Sequence, residues 1–260
     1  MSKRHKESAV ILSQECIATN IYSMWIRAES AAAKAVPGQF ISMYTADGGK
    51  LLPRPISLCE IDRKNGALRI VYRVTGRNTG TEQFSVLKKG DMIDILGPLG
   101  NGFPLREAEG KRALLIGGGI GIPPMLELAK QLEGQNLLVM GYKDQQFLAE
   151  ELGRQGSLFI ATEDGSAGTL GNVMDAIEAK GLEADVIFAC GPTPMLRAIK
   201  QFGEEKRIPC YISMEERMAC GIGACLACVC QSKEIDGHSH VNNKRICKDG
   251  PVFLASEVVI

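Results

Sequence analysis

The sequence predicts a β + α/β chain in three parts: an antiparallel all-β region, a doubly wound parallel sheet with helices, and a small cysteine-bearing C-terminal segment. Three observations carry this. Short apolar or alternating runs recur from residue 8 to about 103, with turn-prone residues between them. From Ala113 onward, apolar runs of strand length alternate with helical runs. Beyond residue 213 the alternation stops and four cysteines gather: Cys220, Cys225, Cys228 and Cys247.

The all-β region takes its strands at 9–12, 21–26, 39–44, 56–61, 68–74 and 92–96. Pro37-Gly38, Asp47-Gly48-Gly49, Asn65-Gly66, Lys89-Gly90-Asp91 and Gly97-Pro98 supply the turns. Residues 81–88 read as a short helix. So many short strands separated by turns suggest a small barrel or sandwich. The second region opens with the apolar strand 113–116, a glycine-rich turn and a helix at 125–132. Strands at 137–140, 158–162 and 186–189 follow, interleaved with helices near 146–152, 171–179 and 193–202. A last strand at 210–213 leads into the cysteine segment. That segment is too small for a core of its own and folds around whatever its cysteines hold. The boundaries fall at 1–104, 105–212 and 213–260.

Composition excludes several classes. At 260 residues the chain has room for two domains and a small appendage. Thirty basic and thirty acidic residues cancel, so no charge excess points to nucleic acid or an anionic membrane. The apolar stretch 113–128 is broken by four glycines and two prolines and cannot span a bilayer. The basic opening Met1-Ser2-Lys3-Arg4-His5-Lys6 lacks a following apolar core of signal-peptide length, which points to the cytoplasm, where thiols stay reduced. Cys16, Cys59, Cys190 and Cys210 lie among apolar residues and read as small buried side chains.

The four C-terminal cysteines carry the sharpest chemistry. Cys220, Cys225 and Cys228 have C-x4-C-x2-C spacing and Cys247 follows well downstream, the plant-type [2Fe–2S] pattern. Gly221 and Gly223 let a tight loop turn main-chain N–H groups toward sulfur. Structural zinc favours two short cysteine pairs, unlike this cluster of three with one distant partner. Cys230, two residues past Cys228, competes as a ligand, with Cys228 the better match to the spacing.

Three further motifs suit a nucleotide-type cofactor. Arg54-Pro55-Ile56-Ser57 offers a guanidinium fork for phosphate and a hydroxyl for a ring edge. Val71-Tyr72-Arg73 adds an aromatic face and a second cation, and Gly80-Thr81 opens a helix whose N–H groups favour phosphate. The turn Gly117-Gly118-Gly119-Ile120-Gly121 joins strand to helix, the context of a phosphate-cradling loop, although it departs from G-x-G-x-x-G. Cys190-Gly191-Pro192 follows another strand and falls on the same sheet edge, where open α/β sheets bind ligands. There Cys190 either faces a nicotinamide or is a buried thiol. Thr162-Glu163-Asp164 puts carboxylates after a strand, favouring NAD over NADP unless it is only a solvated turn.

Taken in this order, the motifs resemble the ferredoxin–NADP reductase superfamily, and within it the electron-transfer subunits of type B dihydroorotate dehydrogenases. The resemblance spans essentially the whole chain. It is most specific at Leu96-Gly-Pro-Leu-Gly-Asn-Gly-Phe103, Cys190-Gly-Pro-Thr-Pro-Met195, Ser213-Met-Glu-Glu-Arg-Met-Ala-Cys-Gly-Ile-Gly-Ala-Cys225 and Cys247-Lys-Asp-Gly-Pro-Val-Phe253. It implies an N-terminal antiparallel flavin-binding β-barrel, a doubly wound nucleotide domain and a C-terminal [2Fe–2S] domain. It also implies FAD contacts at Arg54, Pro55, Ile56, Ser57, Val71, Tyr72, Arg73, Gly80 and Thr81, with Gly76 or Gly80 at the flavin phosphate. The NAD contacts are then Gly117, Gly118, Gly119, Gly121, Cys190, Gly191 and Pro192. The cluster ligands are Cys220, Cys225, Cys228 and Cys247. The interval from 228 to 247 carries His238 and His240 in a polar loop able to absorb an insertion.

The function implied is electron relay from the FMN of a dihydroorotate dehydrogenase catalytic subunit, through cluster and FAD, to NAD⁺. The implied assembly is a heterotetramer of two subunits of each kind. No acid–base constellation for dihydroorotate itself is visible, which fits a partner performing that chemistry. Two alternatives stand beside this one: an NAD(P)H-linked ferredoxin reductase or diaphorase subunit of another complex, and a zinc-stabilised binding module.

Overall fold

The computed structural model describes residues 5–235 and 240–260; the opening Met1 to Arg4 and His238 lie outside the described residues. Six strands form the first region: β1 (His5–Ala18), β2 (Ile21–Arg27), β3 (Phe40–Met43), β4 (Arg54–Asp62), β5 (Ala67–Arg73) and β6 (Met92–Leu99). They close into an antiparallel barrel in the order β1-β2-β5-β4-β3-β6. Closure leaves no unpaired strand edge. Alternation puts Ile41 and Met43 of β3, and Leu68, Ile70 and Tyr72 of β5, into the barrel core. Two short helices flank it, α1 (Glu29–Ala32) and α2 (Gly80–Ser85). The first was not anticipated from sequence; its buried Ala31 and Ala32 carry no amphipathic period in four residues.

The second region alternates β7 (Ala113–Gly118), α3 (Pro123–Gln131), β8 (Asn136–Tyr142), α4 (Ala149–Gly153), β9 (Ser157–Thr162), β10 (Thr169–Leu170), α5 (Val173–Ala179), β11 (Val186–Cys190), α6 (Thr193–Lys206) and β12 (Cys210–Ser213). Its sheet runs β10-β9-β8-β7-β11-β12 in parallel. Strand order reverses between β7 and β11, so their carboxyl ends open at the topological switch point. The turn after β7 and the turn after β11 lie side by side there, as the motif order requires.

The third region holds a hairpin of β13 (Val229–Gln231) and β14 (Asn243–Arg245), then β15 (Val252–Leu254). β15 returns to the main sheet and pairs antiparallel with β12. The sequence reading ends the strands at 210–213; β15 escapes it because three residues after Gly250-Pro251 carry too little period to register. Cys228, Ile246, Cys247 and Phe253 share one apolar cluster with Ile212 of the sheet and with Phe40 and Leu99 of the barrel. The cysteine segment therefore borrows its core from both neighbours.

Barrel and sheet also share a core. Ile21, Cys59 and Val71 on the outer face of the barrel pack with Met125, Leu126 and Leu128 of α3. Charges span the same seam. Arg69, 7% exposed, bonds Glu60 at 2.6 Å and Glu151 of α4 at 3.1 Å, and donates to Ser23 at 2.8 Å. Glu60 also pairs with Lys130. Glu127 accepts the Ile61 main-chain N–H at 2.8 Å. One cysteine departs from expectation: Cys16 is exposed, because β1 is 14 residues long and its far end, past a register shift, runs beyond the barrel core.

The Arg69→Met chain should lose about 3 kcal/mol of stability by urea denaturation, because Glu60 and Glu151 stay half-paired in the seam. A loss below about 1 kcal/mol would mean that apolar packing alone holds the two domains.

Candidate functional site

All three regions face one cleft of about 620 Å³. The barrel contributes Phe40, Pro55, Ser57, Arg73 and Thr75. The sheet contributes Gly118, Gly119, Ile120 and Gly121 after β7, and Cys190, Gly191 and Pro192 after β11. The segment from Ser213 to Met218, with Pro251, forms the remaining wall. Of the residues predicted from sequence, Pro55, Ser57, Arg73, Gly118, Gly119, Gly121, Cys190, Gly191 and Pro192 meet here.

Close approach explains the glycines. A Cβ on Gly121 would stand 2.3 Å from the Cys190 carbonyl oxygen, and one on Gly118 would stand 2.5 Å from Met195 Sδ. These two positions let the β7 and β11 turns touch. Gly117 differs from its predicted role: it does not line the cleft, and its missing side chain makes room for Met140 Sδ, 2.7 Å from a Cβ placed there. Burial pushes the Cys190 thiol up to about 12; a hydrogen bond from the Ser213 hydroxyl opposes this and the Glu215 carboxylate adds to it. The group is a neutral thiol at the cleft wall at physiological pH.

Arg54, Gly80 and Thr81 form a second grouping next to the cleft. A Cβ on Gly80 would lie 2.9 Å from Arg54 Nε, so the guanidinium packs directly on the first turn of α2. Thr81 Oγ1 accepts the Thr75 N–H at 3.3 Å, which ties that turn to the end of β5. Gly76, at φ +147°, accepts the Thr79 hydroxyl at 2.8 Å on its carbonyl, and a Cβ placed on it would meet only the Thr79 methyl, at 3.9 Å. Tyr72 does not present the aromatic face predicted for it. Its ring is fully buried in the barrel, stacked on Tyr22 with centroids 5.9 Å apart and edge-on to Phe84 at 6.1 Å. Its hydroxyl donates to Gln14 Oε1 at 2.7 Å, leaving the main chain as its contribution to any ligand. Val71 is likewise buried, in the seam with α3, and Ile56 is half-buried against the barrel core. Phe40 and the stretch 214–218 were missed as cleft residues, although the latter falls within a motif noted from sequence.

The cysteine loop curls around Cys220. The N–H groups of Ile222, Ala224 and Cys225 point at Cys220 Sγ at 3.4, 3.3 and 3.4 Å. Burial alone would raise this thiol, but those donors together with the Cys225 side chain bring it down to about 6. Gly221 and Gly223 adopt φ of +67° and +82°, the left-handed conformation this curl demands. Cys228 and Cys247 form a second, buried pair: burial and then the Cys228 neighbour push Cys247 up to about 12, against a hydrogen bond from the Gly223 N–H. Cys247 becomes a thiolate only when bound cationic charge compensates it. Among the described residues no three His, Cys, Asp or Glu side chains converge on a single ion position. Two sulfur pairs with main-chain N–H donors suit a two-iron cluster better than one zinc ion. Cys230 is buried beside Cys228 on β13, and burial raises its thiol.

A barrel with a phosphate cradle, a parallel sheet open at its switch point and a two-pair cysteine loop define a flavin-dependent reductase that also carries an iron–sulfur centre. The comparisons agree. Residues 9–103 match the oxidoreductase FAD-binding domain, and residues 215–259 match the iron–sulfur cluster binding domain of dihydroorotate dehydrogenase B. The electron transfer subunit of dihydroorotate dehydrogenase B (NAD(+)) from Bacillus caldolyticus is 46% identical, covering 98% of this chain and 99% of that protein. The corresponding subunit from Bacillus cereus strain B4264 is 44% identical over the same shares. Among solved structures, an NADH-dependent reduced ferredoxin-NADP oxidoreductase, studied for flavin-based electron bifurcation, superposes with a TM-score of 0.85 at 29% identity. It covers all of this chain and 91% of its own. A ferredoxin NADP+ reductase from Neisseria gonorrhoeae, 16% identical with a TM-score of 0.64 over 77% of this chain and 91% of its own, shares the fold. This chain belongs to the family of dihydroorotate dehydrogenase B electron transfer subunits.

Replacing Tyr72 by Phe should cost about 1 kcal/mol, since Gln14 Oε1 loses its donor while its Nε2 keeps the Phe84 and Leu87 carbonyls, and should leave flavin content unchanged. Loss of flavin from a stably folded Tyr72→Phe protein would return the ring to the binding site.

Proposed function

We propose that this chain relays electrons from the FMN of a dihydroorotate-oxidising catalytic subunit, through its own [2Fe–2S] cluster and FAD, to NAD⁺, within pyrimidine (UMP) biosynthesis. The cleft where flavin barrel, nucleotide turns and cysteine segment meet supports this reading best. When bound, the flavin exchanges one or two electrons and the cluster one, which makes the chain a converter between single-electron and hydride chemistry.

The residues divide the work. Arg54, Gly80 and Thr81 hold the flavin pyrophosphate, with Gly80 rather than Gly76 at the phosphate because Arg54 packs on it. Pro55, Ser57 and Arg73 position the ring. Ile56, Val71 and Tyr72 support that strand pair from within or through the main chain. Gly118, Gly119 and Gly121 let NAD⁺ approach the backbone, while Cys190, Gly191 and Pro192 bound the nicotinamide with a neutral thiol. Cys220 and Cys225, with the Cys228 and Cys247 pair, would hold the cluster and supply its thiolates. Cys228 rather than Cys230 takes this place because it is the one that contacts Cys247. Glu163 is exposed on the carboxyl edge of the sheet and Asp164 accepts the Ser166 N–H at 3.0 Å; both would repel a 2′-phosphate.

A partner is required to deliver electrons, and the cluster loop offers it a surface. Ile222, Leu226 and Val229 beside the ligands are 40%, 59% and 37% exposed, apolar contacts at the place where electrons would cross to a partner. The assembly inferred is a heterotetramer of two chains of each kind, in the cytoplasm, where cysteines stay reduced and available as ligands. The high structural likeness to the bifurcating oxidoreductase favours a second reading, in which a ferredoxin-type partner replaces the FMN subunit.

Anaerobic iron and flavin assays on wild type and Cys225→Ser test the reading. Wild type should hold two irons and one FAD per chain. The mutant should lose iron, keep FAD and NADH:ferricyanide activity, and lose dihydroorotate:NAD⁺ activity with an FMN partner. Retained dihydroorotate:NAD⁺ activity without iron would remove the cluster from the path. Gly121→Ala, by forcing the Cys190 carbonyl away, should raise the KM for NADH by about tenfold or more with FAD and iron unchanged. An unaltered KM would move the nucleotide off these turns.

A further inference from the structure

A carboxylate stands in the cleft beside the turn given to the nicotinamide. β11 and β12 run parallel in register, with Ser213, the last residue of β12, opposite Cys190. The residue after it is pinned: Met214 donates its N–H to the Pro251 carbonyl at 2.9 Å, and its side chain packs on the apolar cluster that carries the cysteine segment. Glu215 therefore leaves the sheet at a fixed point. It is exposed to the cleft and lines it together with Cys190 and Ser213. Its charge is one of those felt by the Cys190 thiol. Glu216 behaves differently, turning back on its own loop to accept the Arg217 N–H at 3.3 Å. Two guanidinium groups share the cleft, Arg73 and Arg217, yet among the described residues Glu215 joins no ion pair with either.

An unneutralised carboxylate in a cleft attracts positive charge. The nicotinamide ring is positive in NAD⁺ and neutral in NADH, so a carboxylate beside it acts on the two forms unequally. We propose that Glu215 distinguishes the oxidised nucleotide from the reduced one, its carboxylate lying against the positive ring of NAD⁺ and holding it more tightly than the neutral ring of NADH. This rests on the nucleotide placement of the preceding subsection and deepens it. Reduction adds a hydride, a proton with two electrons, to the ring and removes its charge, while the flavin that supplies the hydride is oxidised by two electrons. Glu215 then loses its counter-charge and the reduced nucleotide is released. The residue binds substrate; it forms no covalent bond and takes no proton.

The test is calorimetric titration of the oxidised holo-chain with two probes that leave its flavin oxidised. One is NAD⁺; the other is tetrahydro-NAD, whose ring is uncharged and carries no transferable hydride. Wild type, Glu215→Gln and Glu215→Asp are compared, with FAD and iron quantified in each. In Glu215→Gln the Kd for NAD⁺ should rise about fivefold, while that for tetrahydro-NAD stays within about twofold of wild type. Glu215→Asp, which keeps the charge, should return the ratio of the two constants toward wild type. An unchanged ratio in Glu215→Gln would overturn the proposal, as would an equal weakening of both probes, which would make Glu215 a part of the cleft wall without regard to charge. A ratio altered as much by Glu215→Asp as by Glu215→Gln would overturn it too. A wild-type chain that binds neither probe would overturn the nucleotide reading itself, and this proposal with it.

Discussion

Everything else in this structure depends on main chain meeting main chain where the three regions converge. A Cβ on Gly100 would stand 2.5 Å from Pro251 Cδ and 2.8 Å from the Gly250 carbonyl oxygen. The adjacent Asn101 donates its N–H to that carbonyl at 2.6 Å and its side-chain amide to the Asp249 carbonyl at 2.9 Å. Met214 N–H donates to the Pro251 carbonyl at 2.9 Å, joining the cysteine segment to the end of the last parallel strand. A side chain at Gly100 would force the barrel and the cluster loop out of this contact. Electron transfer weakens steeply with distance, so this contact is what makes one chain with two redox sites a relay.

The cluster loop shows how a short segment without its own core becomes ordered. Its apolar residues bury against Phe40, Leu99 and Ile212 of the neighbouring regions. Arg245 clamps Asp249 through two bonds of 2.9 and 3.0 Å, fixing the turn that carries Cys247. Ile246 N–H donates to the Cys228 carbonyl at 2.9 Å, which sets the second cysteine pair side by side. The two pairs differ in electrostatics. Main-chain N–H donors hold the Cys220 thiol below its ordinary range, whereas burial and the neighbouring Cys228 hold the Cys247 thiol above it. The loop is thus partly preorganised and completed by what it binds.

Much of this was legible in the sequence. Period-two alternation and turn residues marked the six barrel strands, and the strand–helix alternation placed the two glycine-bearing turns on one sheet edge. Cysteine spacing set Cys220, Cys225, Cys228 and Cys247 apart from Cys16, Cys59, Cys190 and Cys210, and left Cys230 as a competitor of Cys228. What stayed hidden has physical causes. β5 is covered on both faces, by the barrel core and by α3, so its pattern did not reveal that Tyr72 points inward. Gly117 and Gly121 look alike in a glycine run, and only the neighbours of each, Met140 for one and Cys190 for the other, separate packing from cleft. Phe40 lies in a predicted strand and Pro251 in the Cys247–Phe253 motif, but nothing local marks either as a cleft residue, because they meet the cleft only through tertiary contact.

The central claim is that one chain holds a two-electron and a one-electron centre in communication. Its most direct test is an anaerobic reductive titration of the purified chain, followed by visible and EPR spectroscopy. About three electron equivalents per chain should be consumed, two by the flavin and one by the cluster, and NADH alone should reduce both centres. Uptake of about two equivalents with no EPR signal, or a cluster that NADH cannot reach, would contradict the account.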